Sequence, residues 1–382
     1  MRSFSLARQL AGFGHAVSLL ASRHHNGARP LVTTRDRVQV VEMPDLAPAR
    51  WKNGGLSLVD TLARMAWVWR RSFDIVHAFD HRPAVSMPAL VGKNRGALLV
   101  SDWADLWGKD GIGSERTGAA GRLLSAADEV WELRFRRAVH GVTVITRDLW
   151  HRVGELGVPD DRRWLLPPGA NIDLIHPLRK HEARRRFNLP AAAHIVVSTG
   201  YAPYDEQLLA DSMAEVLAAD PDAWAVTSGG KSPVLQRTVG ERLLETRLRM
   251  LGSVPLEELE WVLACADVLL LPYSNRPVNR ARFPNRFGDF LAAGRPIVTN
   301  RTGDLGDLVA LHEIGLLAED DPVDMARKAV GLLQDVRAAE ELGRRARAFA
   351  ESNLSWEKLA RGVEGFYGTL VGNGSRSTSS SR

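Results

Sequence analysis

A single cysteine, four tyrosines and no long apolar run limit what this 382-residue chain can be. One thiol, Cys265, excludes an intramolecular disulfide and any thiolate-rich metal site. It lies in the apolar stretch 261–265, where a small buried residue is expected, and it fits a reducing cytoplasm. No stretch approaches the ~18 consecutive apolar residues that span a bilayer. Residues 1–22 have the outline of a secretory leader, but Arg8, Gln9 and His15 interrupt its apolar part, so no leader is expected. Charge of one sign is scarce too. The balance is 50 basic against 45 acidic residues, a net +5, and the basic runs are short and scattered. A nucleic-acid binder concentrates such charge in a stripe, so none is expected as a partner. Arg184-Arg185-Arg186 and Arg344-Arg345 read as solvated helix faces.

What is present is concentrated in residues 267–298. Val268-Leu269-Leu270-Leu271 is an apolar run of strand length, as a strand buried on both faces requires. Pro284 stands where a first helical turn begins, and Phe287, Phe290 and Leu291 recur at helical spacing. Gly294 supplies the stop, and Pro296-Ile297-Val298 opens the next strand. Arg276, Arg280, Arg282 and Arg286 therefore gather between the carboxyl end of a parallel strand and the amino end of a helix. Open α/β sheets bind ligands there, and the helix dipole favours an anion. Asp289, three residues after Arg286, shares its helix face. A cationic lip with one carboxylate suits a nucleoside diphosphate and its ribose hydroxyl pair.

Strands alternate with helices along the whole chain, which predicts α/β architecture with parallel sheets in two domains. The first set of predicted strands is 16–21, 38–42, 75–79, 97–101, 142–146 and 164–166. The second is 195–199, 223–227, 248–251, 268–271, 297–300 and 315–317, and helices over 322–334, 336–353 and 356–370 close the chain. The proline- and glycine-rich 167–177 is the expected hinge. Domains are expected at 1–177 and 178–354, with 355–371 as a final helix. The serine-rich tail 372–382 cannot build a core and is expected to be disordered. At the front, a helix around Leu6, Leu10 and Ala11 precedes the first strand, yet no strand precedes that helix. A doubly wound sheet places its first strand at the centre, so this sheet is expected to lack it, leaving Arg2 and Ser3 as the remnant of a loop.

Several segments together resemble a known family. Pro284-Asn285-Arg286 followed by Gly288-Asp289-Phe290-Leu291-Ala292-Ala293-Gly294-Arg295-Pro296 resembles the donor signature of the GT-B retaining glycosyltransferases, group 1 and family 4-like. Gly14-His15-Ala16-Val17, Leu166-Pro167-Pro168-Gly169-Ala170-Asn171-Ile172-Asp173 and Ser355-Trp356-Glu357 resemble further segments of that family, in its order. The resemblance implies two Rossmann-like domains with an interdomain cleft and a last helix that crosses back to the N-terminal domain. It also implies that the C-terminal domain holds a nucleotide-diphosphate sugar and the N-terminal one an acceptor, whether glycan, lipid-linked or small molecule. Transfer would proceed with retention, with no cofactor and no metal. By the same resemblance Asp289 holds the donor ribose and Arg286 lies near the diphosphate, with Arg282, Phe283, Pro284 and Asn285 beside them.

The chain departs from the family pattern at two places. The family's cations after the first strand of the second half are absent from Gly200-Tyr201-Ala202-Pro203-Tyr204-Asp205-Glu206, although Gly200 and Tyr201 keep a donor-facing position. Lys231, in Ser228-Gly229-Gly230-Lys231-Ser232, either supplies a charge from the neighbouring loop or is a solvated turn lysine. The first of the family's two donor-motif acids is replaced by Ala281. In the first half, Asp102 and Asp105 follow a predicted strand where the family faces its acceptor. Asp102 is either the group that takes the acceptor's proton or a turn cap. Trp103 and Trp107 are candidates to stack on the acceptor, and His77 to line it. Trp67 and Trp69, among Arg64, Arg70 and Arg71, suit a peripheral membrane contact, sugar stacking or simple burial. The function expected is glycosyl transfer. A nucleotide-sugar epimerase, or a silent binding protein, is the alternative.

Overall fold

The computed structural model describes residues 2–23, 27, 29–45, 55–108 and 110–379. The chain divides into two compact units, residues 1–167 with 356–382, and residues 168–355.

The second unit is a single six-stranded sheet. Its strands are β8 (His194–Thr199), β9 (Ala223–Ser228), β10 (Leu248–Met250), β11 (Val268–Leu271), β12 (Ile297–Asn300) and β13 (Leu316–Ala318). They lie in the order β10-β9-β8-β11-β12-β13, and every pairing is parallel. β8 and β11 are covered on both faces, which is why they read as unbroken apolar runs. The strand order reverses between them, the point at which open α/β sheets bind ligands beyond the carboxyl ends of their strands. At the opposite edge Asp267 accepts from Lys180 Nζ at 2.7 Å, Arg184 NH2 at 2.6 Å and the Ile195 amide at 2.8 Å. Arg184 also donates to the carbonyls of Cys265, Ala191 and Ala193. Arg184 is therefore buried rather than part of a solvated face, because its guanidinium ties together four groups at the amino ends of β8 and β11. Cys265 is buried as expected, and burial pushes its thiol up to about 12.

The first unit begins with α1 (Arg2–Gly12), β1 (Ser18–Ala21), β2 (Leu31–Arg35), β3 (Val38–Glu42), α2 (Leu58–Trp69), β4 (Ile75–Ala78) and α3 (Pro83–Asn94). It continues with β5 (Leu98–Trp103), α4 (Gly118–Arg137), β6 (Gly141–Val144), α5 (Arg147–Glu155) and β7 (Arg163–Leu165). Its strands form two sheets, β1-β3-β2 and β4-β5-β6-β7. β2 was not expected: it pairs antiparallel with β3 through the turn Asp36-Arg37, both with positive φ, and its five residues are exposed. β1 and β4 line a common slot of about 150 Å³, roofed by Val68, Ala84 and Ala89, and among the described residues no backbone pairing crosses it. A central strand would sit between them in a doubly wound order, so the gap falls where the sequence places it.

The hinge belongs to the second unit, not the first. The Ala170 amide donates to Leu354 O at 2.7 Å, and Arg347 NH1 reaches Ile175 O at 2.7 Å. The boundary accordingly lies after Pro167 rather than at 177. The last helix, α15 (Trp356–Ser379), packs on the first unit. Ala360 and Val363 join Leu6, Leu10 and Leu166 in one cluster, and Phe366 and Leu370 cover Val100. That helix runs on to Ser379, through most of the tail expected to be disordered. Extending a formed helix adds one hydrogen bond per residue without a new nucleus. Residues 380–382 of that expectation lie outside the described residues.

Candidate donor and acceptor sites

Within the second unit, the expected donor residues meet at the carboxyl ends of β8, β9 and β11. Helix α11 (Asn285–Ala292) starts there, with Pro284 as its N-cap. Arg286 NH1 lies 3.7 Å from the point where a Cβ on Gly200 would stand, so the guanidinium covers the end of β8. Gly200 and Gly229 have positive φ and their backbones nearly touch, which leaves no room for a side chain at Gly229. Tyr201 donates its hydroxyl to Lys231 O at 2.7 Å and joins the two loops, while the Lys231 side chain is exposed. Arg282 donates to the Tyr204 hydroxyl, and both Arg276 and Arg282 lie 5.9 Å from the Tyr204 ring centroid. Phe283 packs edge-on against Phe287 and is a core residue of this corner. Asn285 is exposed at the helix start, and Ala281 is wholly buried.

The electrostatics of this corner are uneven. Burial lowers the Arg286 pKa to about 10, with Asp205 opposing, so the group stays charged at neutral pH. Its buried Nε has no hydrogen-bond partner. Asp205 is itself occupied: it accepts from the Ser274 amide at 3.1 Å and from Asn279 Nδ2 at 3.1 Å. A buried cation so weakly compensated is suited to receive an anion. Asp289 lies on the same helix. Burial raises its pKa to about 6, although Asn171 Nδ2 donates to it at 2.7 Å. Gly288 fits this seam because a Cβ would stand 2.9 Å from Gly169 O and 3.0 Å from Ala170 Cα.

Asp205, Ser274, Asn279 and Tyr204 escaped the sequence reading. Asp205 precedes α7 (Glu206–Ala219), where it looks like an ordinary cap, but its side chain holds the loop after β11 instead. Asn171 was visible inside the 166–173 segment, without a sign of its partner.

The first unit treats its expected residues differently. Asp102 is buried and bridged by Arg2, with Nε 3.0 Å from Oδ2 and NH2 3.1 Å from Oδ1. Thr143 Oγ1 donates to it at 2.5 Å. Burial works to raise the Asp102 pKa, but the Arg2 charge and these hydrogen bonds bring it below the usual value. Asp102 thus ties α1 to the carboxyl end of β5 and to β6 through Arg2 and Thr143. Arg2, on α1, is correspondingly an ion-pair partner and not a loop remnant. His77 lies 2.7 Å from the Tyr367 hydroxyl and 3.1 Å from Thr143 Oγ1, and burial holds its pKa near 4. It is a neutral link in the same buried network.

Trp103 is fully buried, and its Nε1 donates to Glu132 at 2.8 Å. It has no face left for an acceptor and is a core residue. Trp107 is half-buried beneath Arg82, whose Cζ is 3.9 Å from the ring centroid. Asp105 sits half-buried in the same loop. Glu132 gathers that loop, accepting from the amides of Trp107 at 3.2 Å and Gly108 at 3.1 Å. Burial raises its pKa to about 7, against Arg136. No periodicity marks Glu132 within α4, where it reads as one more polar position.

Two α/β units, parallel but for β2, the second with its arginine corner at the strand reversal, define the GT-B class. Among solved structures, sucrose-phosphate synthase from Thermosynechococcus elongatus superposes with a TM-score of 0.75 at 19% identity, covering 96% of this chain and 92% of that one. Anabaena HepE, in complex with UDP and glucose, gives 0.70 at 13% identity, over 95% and 93%. The Glycosyl transferase 4-like domain matches residues 2–169, and the Glycosyl transferases group 1 domain matches residues 193–335. The chain belongs to the group 1, family 4-like glycosyltransferases. It is 30% identical over 221 residues to the D-inositol 3-phosphate glycosyltransferase of Corynebacterium efficiens, covering 54% of this chain and 51% of that one. It is 28% identical over 223 residues to the GDP-mannose-dependent alpha-(1-6)-phosphatidylinositol monomannoside mannosyltransferase of Mycolicibacterium smegmatis, over 56% and 58%. The chain thus spans about half the length of the curated relatives it matches.

Proposed function

We infer that this protein transfers a sugar from a nucleotide-diphosphate donor to an acceptor. The observation that carries the reading is Arg286, whose buried Nε has no hydrogen-bond partner among the described residues, beside the glycine end of β8, with Asp205 the nearest carboxylate named against its charge. A diphosphate would complete that site, with Arg282 at its rim. Asp289, held by Asn171, would take the ribose hydroxyls. The names of the relatives support a sugar nucleotide: one is GDP-mannose-dependent, and HepE was captured with UDP and glucose. The acceptors in the relatives' names, an inositol phosphate and a phosphatidylinositol mannoside, make a phosphorylated polyol the first class to try.

Retention and independence of a metal are part of the proposal. The leaving diphosphate would be stabilised by the arginines and the amino end of α11 instead of a cation, the kind of preorganised charge that dominates many rate enhancements. Ala281 in place of the first donor-motif acid favours a second reading, binding of the nucleotide sugar without turnover. One assay separates them. The full chain, incubated with a panel of nucleotide sugars and inositol phosphate or phosphatidylinositol, should release free nucleoside diphosphate only when both substrates are present. A protein that binds without release supports the second reading. Alteration of the donor sugar without release would identify an epimerase and overturn transfer.

A further inference from the structure

Helix α2 is built inside out. Ser57 caps its start, accepting from the Asp60 amide at 3.3 Å and donating to Asp45 at 2.8 Å. The side turned inward carries Asp60, Thr61, Arg64 and Val68, all buried. Arg64 Nε pairs with Asp60 at 2.8 Å, and its NH2 reaches Ser22 Oγ at 3.0 Å. The side turned outward carries the apolar residues: Leu58 is 68% exposed, Val59 47%, Leu62 53% and Trp69 60%. At about 100° per residue these four, with exposed Ala66, fall within an arc of about 100° opposite the buried set. Soluble helices orient the other way, so an outward stripe of this kind marks a surface that something covers.

The surroundings indicate what covers it. Arg70 and Arg71 are exposed at the carboxyl end of the stripe. Arg71 Cζ lies 4.1 Å from the Trp67 ring centroid, and Arg95, from the neighbouring α3, lies 5.1 Å from that of Trp69. Arg95 Nε also donates to Arg71 O at 3.4 Å, which ties these two arginines to the same end of the helix as the two indoles. Asp60, in the first turn, is paired inside with Arg64, and Asp74 is exposed beyond the carboxyl end. The outward surface is therefore apolar along the helix and cationic at its end. With 12 residues the helix is about 18 Å long, enough to lie flat in an interface. No described helix is long and apolar enough to cross a membrane.

We propose that α2 seats the first unit on an anionic lipid surface, Leu58, Leu62 and Trp69 entering the interfacial zone and Arg70, Arg71 and Arg95 meeting lipid phosphates. A bilayer suits the stripe better than a second copy of the chain. Its cationic end finds a charge complement in an anionic lipid surface. Apolar residues and arginine on one helix are the pattern of interfacial helices, and each cation near an anionic surface adds to the attraction.

The test is co-sedimentation of the full chain with phosphatidylcholine vesicles, with and without phosphatidylglycerol. The chain should pellet with the anionic vesicles and release as salt rises. Leu62→Glu with Trp69→Glu should weaken that partitioning about tenfold or more, and Arg70→Glu with Arg71→Glu should abolish the preference for phosphatidylglycerol. All four positions are exposed and outside the donor site, so both variants should stay folded and keep the wild-type nucleoside diphosphate affinity. The proposal is overturned if anionic vesicles bring down no protein, or if the Leu62/Trp69 variant still pellets fully. It is equally overturned if ultracentrifugation finds a dimer that the same variant dissociates, since a second copy would then cover the stripe.

Discussion

At the scale of single residues, the donor corner holds charges that cost stability in the absence of ligand. Asp289 ionises with a pKa of about 6, above the ordinary 3.8, because burial disfavours its charge. A raised carboxyl pKa means that the folded state gains from the proton. That contribution is complete below about pH 4 and is lost as pH rises through about 6. Asp289→Asn should therefore raise stability at pH 8 by about 1–3 kcal/mol, read from the melting temperature, while weakening nucleoside binding. In the wild type, nucleoside affinity should fall as pH drops through about 6, because a protonated carboxyl no longer accepts both ribose hydroxyls. A flat pH profile in calorimetry would remove Asp289 from the site. Arg286→Glu should cut nucleoside diphosphate affinity by at least about tenfold and leave the bare nucleoside nearly unchanged, the loss of one charge-assisted contact being about 1.5–3 kcal/mol. Equal losses for both ligands would show that Arg286 does not face phosphate.

At the scale of elements, the seating of α11 and the slot beside β1 each have a measurable consequence. Gly288→Ala drives a methyl group toward the Gly169 carbonyl and the Ala170 Cα, both backbone atoms that yield little. Such overpacking costs about 1–3 kcal/mol, and the same shift would draw Asn171 from Asp289, so melting temperature and nucleoside affinity should fall together. Among the described residues β1 is paired with β3 alone, whereas β12 is flanked by β11 and β13. Amides of 18–21 should consequently exchange with solvent much faster than those of 297–300. Comparable protection in hydrogen exchange would mean that the slot is closed in solution. The slot also explains why β1 is only half-buried along its length while every residue of β12 is buried.

At the scale of the molecule, the two units differ in how the chain builds them. The second is one contiguous segment, 168–355, and contains every donor-site residue named above. Expressed alone, it should fold and bind a nucleoside diphosphate within about threefold of the full chain, since among the described residues the partners of Arg286 and Asp289 named above all lie within it. A fragment that folds yet binds nothing would show that the donor site needs the first unit. The first unit is discontinuous and needs α15, whose Ala360, Val363, Phe366 and Leu370 close its core. Removing residues from 356 onward should expose that core and destabilise the first unit selectively, with exchange rising in 98–103 and 141–144 and not in 268–271.

The sequence by itself determined the alternation of strands and helices, the all-parallel second sheet, the gap at the front of the first, and the donor segment. Each of these is local or periodic: a doubly covered strand must be a continuous apolar run, and 267–298 carries strand, loop and helix in one stretch. Only the tertiary structure decided what the charged and aromatic side chains do. Asp102 meets Arg2 across 100 positions and Arg184 meets Asp267 across 83, so neither pairing leaves a mark in the neighbouring residues. Trp103 read as an acceptor platform until Glu132 took its indole N–H from 29 positions away. β2 escaped because an exposed edge strand needs no apolar pattern. Helix α2 has the period of an ordinary amphipathic helix, and a period gives the spacing of the apolar residues without saying which side faces the core.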